Sequence, residues 1–112
     1  MATMWLGPPN GGPLIAAAIN STSPTIALVA GAAGQIIRIF KIFLVVGGTT
    51  NLTFEDGSTA LTGAIPMASN GSLTLDMDGT AWFTSSAGNA LNLLNSGSVQ
   101  VSGAVYYTQT SG

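Results

Sequence analysis

The sequence predicts an all-β fold: a jelly-roll-like β-sandwich of about eight strands, with an extended N-terminal arm. Three observations lead there. Short apolar or alternating segments recur along the 112 residues. Turn signals such as Asp56-Gly57, Asn70-Gly71 and Asp78-Gly79 separate them at roughly 8–12-residue spacing. No segment reads as a helix with an apolar stripe and caps. Regularly spaced short strands without helices are the pattern of a sandwich or barrel.

The chain begins with an arm, residues 1–13. Met4, Trp5 and Leu6 are followed by Gly7-Pro8-Pro9-Asn10-Gly11-Gly12-Pro13. A run so rich in Pro and Gly forms neither a helix nor a central strand. It lacks the basic start and apolar core of a signal peptide. It reads either as a frayed terminus or as a tether whose Trp5 docks on a neighbour. Residues 14–112 read as one domain.

Leu14–Asn20 is the first strand, ended by Ser21-Thr22-Ser23-Pro24; Thr25–Ala30 is the second. Gly31-Ala32-Ala33-Gly34 then reads as a tight hairpin loop. It lacks the Lys and Ser/Thr of a phosphate-binding loop, and no helix follows.

Ile36–Val46 holds nine apolar side chains in eleven residues, together with both cations of the chain, Arg38 and Lys41. A membrane span needs about 20 predominantly apolar residues without central charges. Extension upstream to Thr25 leaves Arg38 and Lys41 inside. As a helix the segment would be apolar on every side, and Ile, Val and Phe favour strands. Gly34 and Gly47-Gly48 bracket it as turns bracket a strand. Strict alternation puts Ile36, Arg38, Phe40, Ile42, Leu44 and Val46 on one face. Ile37, Ile39, Lys41, Phe43 and Val45 fall on the other. Both faces are apolar, so both are expected to be covered, one by the domain core and one by a neighbouring subunit.

Asn51–Glu55 is the next strand, and Asp56-Gly57 the turn after it. Thr59–Met67 is a short strand interrupted by Gly63 and Pro66. Leu73, Leu75 and Met77 alternate with Thr74, Asp76 and Asp78, as in a half-exposed strand. Thr80–Thr84 and Asn89–Leu94 follow. Ser98–Thr108 closes the domain, with Val99, Val101, Val105 and Tyr107 opposite Gln100, Ala104 and Tyr106. The strand count alone does not separate a jelly roll from an immunoglobulin-like sandwich. The Cys–Trp–Cys signature of the latter is absent.

Composition restricts function. There is no Cys and no His, so the usual zinc, iron–sulfur and haem ligands are missing. Ser–His–Asp and Cys–His nucleophilic pairs are impossible within one chain. Charged residues make up 5% of the chain, against about 25% in ordinary soluble domains. Two cations are far too few to neutralise a nucleic-acid backbone. So few charges point to surfaces buried against other subunits, or covered by Ser, Thr and Asn.

The candidate sites are sparse. Asp76, Asp78 and Gly79 resemble the start of a calcium loop, but its twelfth position is Ala87 rather than Glu. A looser divalent site would need Glu55 and Asp56 or a neighbour; solvated acids beside a turn are the plainer reading. Glu55 and Asp76 as a glycosidase pair lack any fixed separation. Of Trp82-Phe83 and Tyr106-Tyr107, one member of each pair should point inward and the other toward an interface. The sequons at Asn20, Asn51 and Asn70 read as coincidence in a Ser/Thr/Asn-rich chain.

One set of segments carries a family resemblance: IALVAG (26–31) with GQIIRI (34–39), TFEDGSTALTG (53–63), NGSLTL (70–75), WFTSSAGNALNL (82–93) and SVQVSGAVY (98–106). Together they resemble small structural proteins of tailed bacteriophages, of the capsid decoration (cement) or fibre-associated type. The resemblance spans residues 24–108 and consists of strands and turns without a catalytic signature. It implies a jelly-roll-like sandwich that trimerises on a virion. The expectation is therefore a non-enzymatic capsid decoration protein, made in the bacterial host cytoplasm and seated on the outside of the phage head. It would bind the major capsid protein at joints between subunits, with no cofactor, nucleic acid or membrane. The expected contacts are Trp5 and Leu6 in the arm, Arg38, Lys41 and Tyr106. A tail-fibre or carbohydrate-binding module on a similar trimeric sandwich is the alternative.

Overall fold

The computed structural model describes residues 14–77 and 79–111. The expected arm, with Trp5 and Leu6, lies outside them, as do Asp78 and Gly112. The described residues form ten strands and no helix: β1 (Ile15–Ser21), β2 (Thr25–Val29), β3 (Ile36–Val46), β4 (Thr50–Asp56), β5 (Thr59–Ala60), β6 (Ile65–Met67), β7 (Ser72–Leu75), β8 (Phe83–Thr84), β9 (Leu91–Asn95) and β10 (Val101–Thr110). The segments read from sequence number nine, and the tenth strand arises because 59–67 is divided into β5 and β6, with Gly63 between them.

The strands build two antiparallel sheets packed as a sandwich. The first has the order β1-β10-β3, with β7 and β8 sharing the far side of β3. The second has the order β2-β9-β4, with β5 and β6 sharing the far side of β4. Pairing is nested: β1 meets β10, β2 meets β9, β3 meets β7 and β8, and β4 meets β5 and β6. The Asp56-Gly57 signal closes the β4–β5 hairpin. Gly57 has φ 62°, a conformation that favours glycine.

Gly31–Gly34 is a connection between sheets, because β2 and β3 belong to different ones. The expected hairpin loop is corrected accordingly. Gln35 N–H donates to the Ala32 carbonyl at 2.9 Å, and Gly88 N–H donates to the Gln35 carbonyl at 2.9 Å.

The core lies between the sheets and is apolar. Ile42, Leu44, Val46, Val101 and Val105 from the first sheet face Leu52, Phe54, Leu91 and Leu93 from the second. Phe54 stacks on Phe83 with ring centroids 4.4 Å apart, joining β4 to β8 across the layers. Gly103 sits mid-β10, opposite Ile19 on β1 and Leu44 on β3. A Cβ there would strike the Phe43 carbonyl, so the close approach of β10 and β3 requires glycine.

Strand β3 departs from strict alternation. Tyr106 pairs with Lys41 and Tyr107 with Ile39, leaving Phe40 without a partner on β10. This is a β-bulge, two residues opposing one, and it reverses the phase of the strand. Ile37 and Ile39 point into the sandwich before it; Ile42, Leu44 and Val46 point in after it, and all five are buried. Phe40 is buried outside the core cluster. The expected division of β3 into two strictly alternating faces is therefore corrected. One sandwich absorbs most of the apolar run, and Phe43 (41% exposed) and Val45 (46%) remain on the outer face.

Candidate interaction surface

The bulge has a second effect. Alternation alone separates Arg38 from Lys41; the extra residue brings both to the outer face of the first sheet. Register shows this: Arg38 lies opposite Thr108 and Lys41 opposite Tyr106, while Val105 and Tyr107 face the core. Lys41 Nζ sits 5.8 Å from the centre of the Tyr106 ring, within cation–π range. Arg38 Nη1 donates to Thr110 Oγ1 at 3.2 Å. Three of the five sequence-predicted contact residues thus share one face. The other two, Trp5 and Leu6, lie outside the described residues.

Neighbours on this face follow from the same registers. Phe43 lies between Ala104 on β10 and Thr74 on β7; Val45 lies between Ser102 and Ser72. Ala16, Ala18 and Asn20 extend the face across β1. At its upper end, Gln100 Nε2 donates to Asn20 Oδ1 at 2.7 Å and to Ser102 Oγ at 3.0 Å. The face therefore grades from an amide and hydroxyl end, through Phe43, Val45 and alanines, to an end carrying both cations. Aromatic and arginine side chains around apolar area are typical of protein interfaces.

The aromatic pairs divide as expected. Phe83 packs inward on Phe54, and Tyr107 packs against the core. Trp82 and Tyr106 take the other side. Trp82 is 43% exposed, and its indole N–H donates to the Asp76 carbonyl at 2.8 Å, closing the β7–β8 connection.

The outer face of the second sheet differs. Thr25, Ala27, Asn51, Thr53, Asn92 and Glu55 lie there by register around a half-buried Leu94, a mainly small and polar surface. Among the described residues, no group of three acidic side chains gathers where a metal ion could sit.

Asp56 has a role that sequence reasoning missed. Its carboxylate accepts from the Ser86 amide at 3.0 Å, the Ser86 hydroxyl at 2.7 Å and Asn89 Nδ2 at 3.1 Å. Partial burial raises its pKa, but the bonds from Ser86 and Asn89 outweigh that and hold it below its ordinary 3.8. The group clips the β4–β5 turn to the loop before β9. Only a Ser/Asn-rich loop some 30 residues downstream hinted at it.

A cleft of about 200 Å³ lies between β1 and β2, lined by Ala18–Ser21 and Thr25–Leu28. It lies at the β1 edge, two strands from Phe43 on β3, and no ionisable side chain lines it. No protein-family model matches the chain, and no curated protein or solved structure matches it closely enough to carry an argument.

Proposed function

We propose that the protein is a structural component of a phage virion, a capsid decoration protein that seats the outer face of its first sheet on the major capsid protein. One observation carries the reading: Phe43 and Val45 stand exposed on a sheet face beside Lys41, Arg38 and Tyr106. An exposed apolar sheet face of this kind suits a protein surface, whereas small ligands are held in concave pockets. Covering it stabilises a joint by about 25 cal/mol per Å² of apolar area, and many copies multiply the effect. The nested strand order supports the jelly-roll reading, since it is how such a roll is wound.

The test is co-sedimentation with capsids stripped of the protein. Phe43→Ser with Val45→Ser should abolish binding while leaving the unfolding midpoint near that of the parent. Removal of residues 1–12 should likewise leave the fold intact and abolish binding. Full binding by the double variant would defeat the docking face, and full binding by the truncated chain would remove the arm.

The carbohydrate-module alternative keeps one supporting observation, the exposed Trp82 with its tethered indole N–H. Glycan-array binding lost in Trp82→Ala would favour it.

A further inference from the structure

We infer that the outer edge of β1 is a pairing site for β1 of a second copy, and that two chains join antiparallel there into one continuous sheet. The inference does not rest on the virion reading. It starts from how this fold treats its edges.

An edge strand offers a row of unused N–H and C=O groups, and proteins blunt such edges by shortness, proline, charge or bulges. Five of the six edge strands here are blunted. β5 and β8 have two residues each, β6 has three including Pro66, and β7 has four. β2 carries a register shift at Leu28. β1 alone has no such device. It runs seven residues, Ile-Ala-Ala-Ala-Ile-Asn-Ser, with neither charge nor proline. Its register with β10 is unbroken from Ile15 to Ser21. Among the described residues no strand pairs with its other side.

A second copy fits this edge by its chemistry. An uncharged strand meets its own image without like-charge repulsion. Two-fold antiparallel pairing centred on Ala18 places Ala18 opposite Ala18, Ala17 opposite Ile19 and Ile15 opposite Ser21. Small side chains on the outer face let the backbones reach the usual strand spacing of about 4.8 Å. Ile15 points to the core side yet is 42% exposed, and a neighbouring strand would cover it. Such a contact is isologous and closed, so it stops at two chains.

The experiment weighs the full chain by light scattering at tens of micromolar. Twice the 11.2 kDa chain mass is expected. Ala18 is exposed on the outer face, so Ala18→Lys should fold as the parent does, checked by circular dichroism. It should have half the parent's mass, because two lysines would meet across the two-fold axis. Ala18→Glu should behave alike, and an equal mixture of the two should recover the doubled mass. A parent of single mass, a variant that keeps the parent's mass, or a mixture that stays single would each overturn the inference. Three times the chain mass, unchanged in Ala18→Lys, would overturn it in favour of the three-fold arrangement expected from sequence.

A second variant guards against misfolding. The chain has no cysteine, so Ala18→Cys adds one thiol opposite its own copy. Facing Cα atoms in antiparallel strands lie about 4.5–5.5 Å apart, inside disulfide range. Mild oxidation should lock a covalent dimer, and a thiol that stays free would overturn the pairing.

Discussion

Thr50 Oγ1 donates to Asn95 Oδ1 at 2.8 Å, and both side chains are buried at one end of the sandwich. Asn95 Nδ2 donates to the carbonyls of Ser23, at 3.2 Å, and Val99, at 2.8 Å. The Thr50 hydroxyl also accepts from Gly97 N–H at 2.8 Å. One amide thus ties the β1–β2 corner, the start of β4 and the β9–β10 turn together.

Such a network costs most when half of it is removed, because the remaining groups stay buried without partners. Asn95→Ala should lower stability by about 3 kcal/mol and Thr50→Val by about 1–2 kcal/mol. Urea unfolding with unchanged slope measures both. Effects below about 0.5 kcal/mol would show that water replaces the network.

Two phenylalanines three residues apart on β3 should behave oppositely. Phe40 is 2% exposed and Phe43 41%. Phe40→Ala should cost about 3–4 kcal/mol, as for other buried aromatics. Phe43→Ala should stay within about 0.5 kcal/mol, as for surface positions. Thermal unfolding of the two variants checks this contrast in burial, and equal losses would argue against it.

Asp56 links stability to acid. Its folded pKa is lowered from 3.8, so its contribution is fully present above that value and fades as pH falls through the folded pKa. The stability difference between the parent and Asp56→Asn should be constant above about pH 5 and shrink below pH 3.8. Denaturant midpoints of both chains from pH 2.5 to 7 give the comparison. A difference that grows in acid would reverse the assignment.

Thr108 is fully buried, and its hydroxyl has no hydrogen-bond partner among the described residues. Thr108→Val keeps the shape and removes the stranded polar group. The variant should gain about 1 kcal/mol in chemical denaturation. A loss of that size would mean that the hydroxyl is satisfied in solution.

Much of the fold was legible because local rules wrote it. Glycine and Asx turns bounded the segments, and β3 was bounded correctly at Ile36 and Val46. Alternation in 98–108 placed Val101, Val105 and Tyr107 inward and Tyr106 outward. The facing of β3 was not legible. A bulge depends on which residues of β10 oppose it, nearly 70 positions away, and no glycine marks it. Its one trace was the surplus of apolar residues on both presumed faces. The candidate surface was half-legible for the same reason. Arg38, Lys41 and Tyr106 could be named, but their convergence depended on the unmarked Phe40. The Asp56–Ser86 and Thr50–Asn95 bonds join residues 30 or more apart, which neither spacing nor composition encodes.

Strand β10 follows the other nine described strands in the chain yet occupies the middle of the first sheet, between β1 and β3. A ribosome must release β10 before either neighbour has a partner for that flank. Until then β3 lacks its longest ladder partner and its backbone groups on that flank are unpaired. Loss of the final ten-residue strand should therefore yield inclusion bodies, whereas the same shortening at a peripheral hairpin would be survivable.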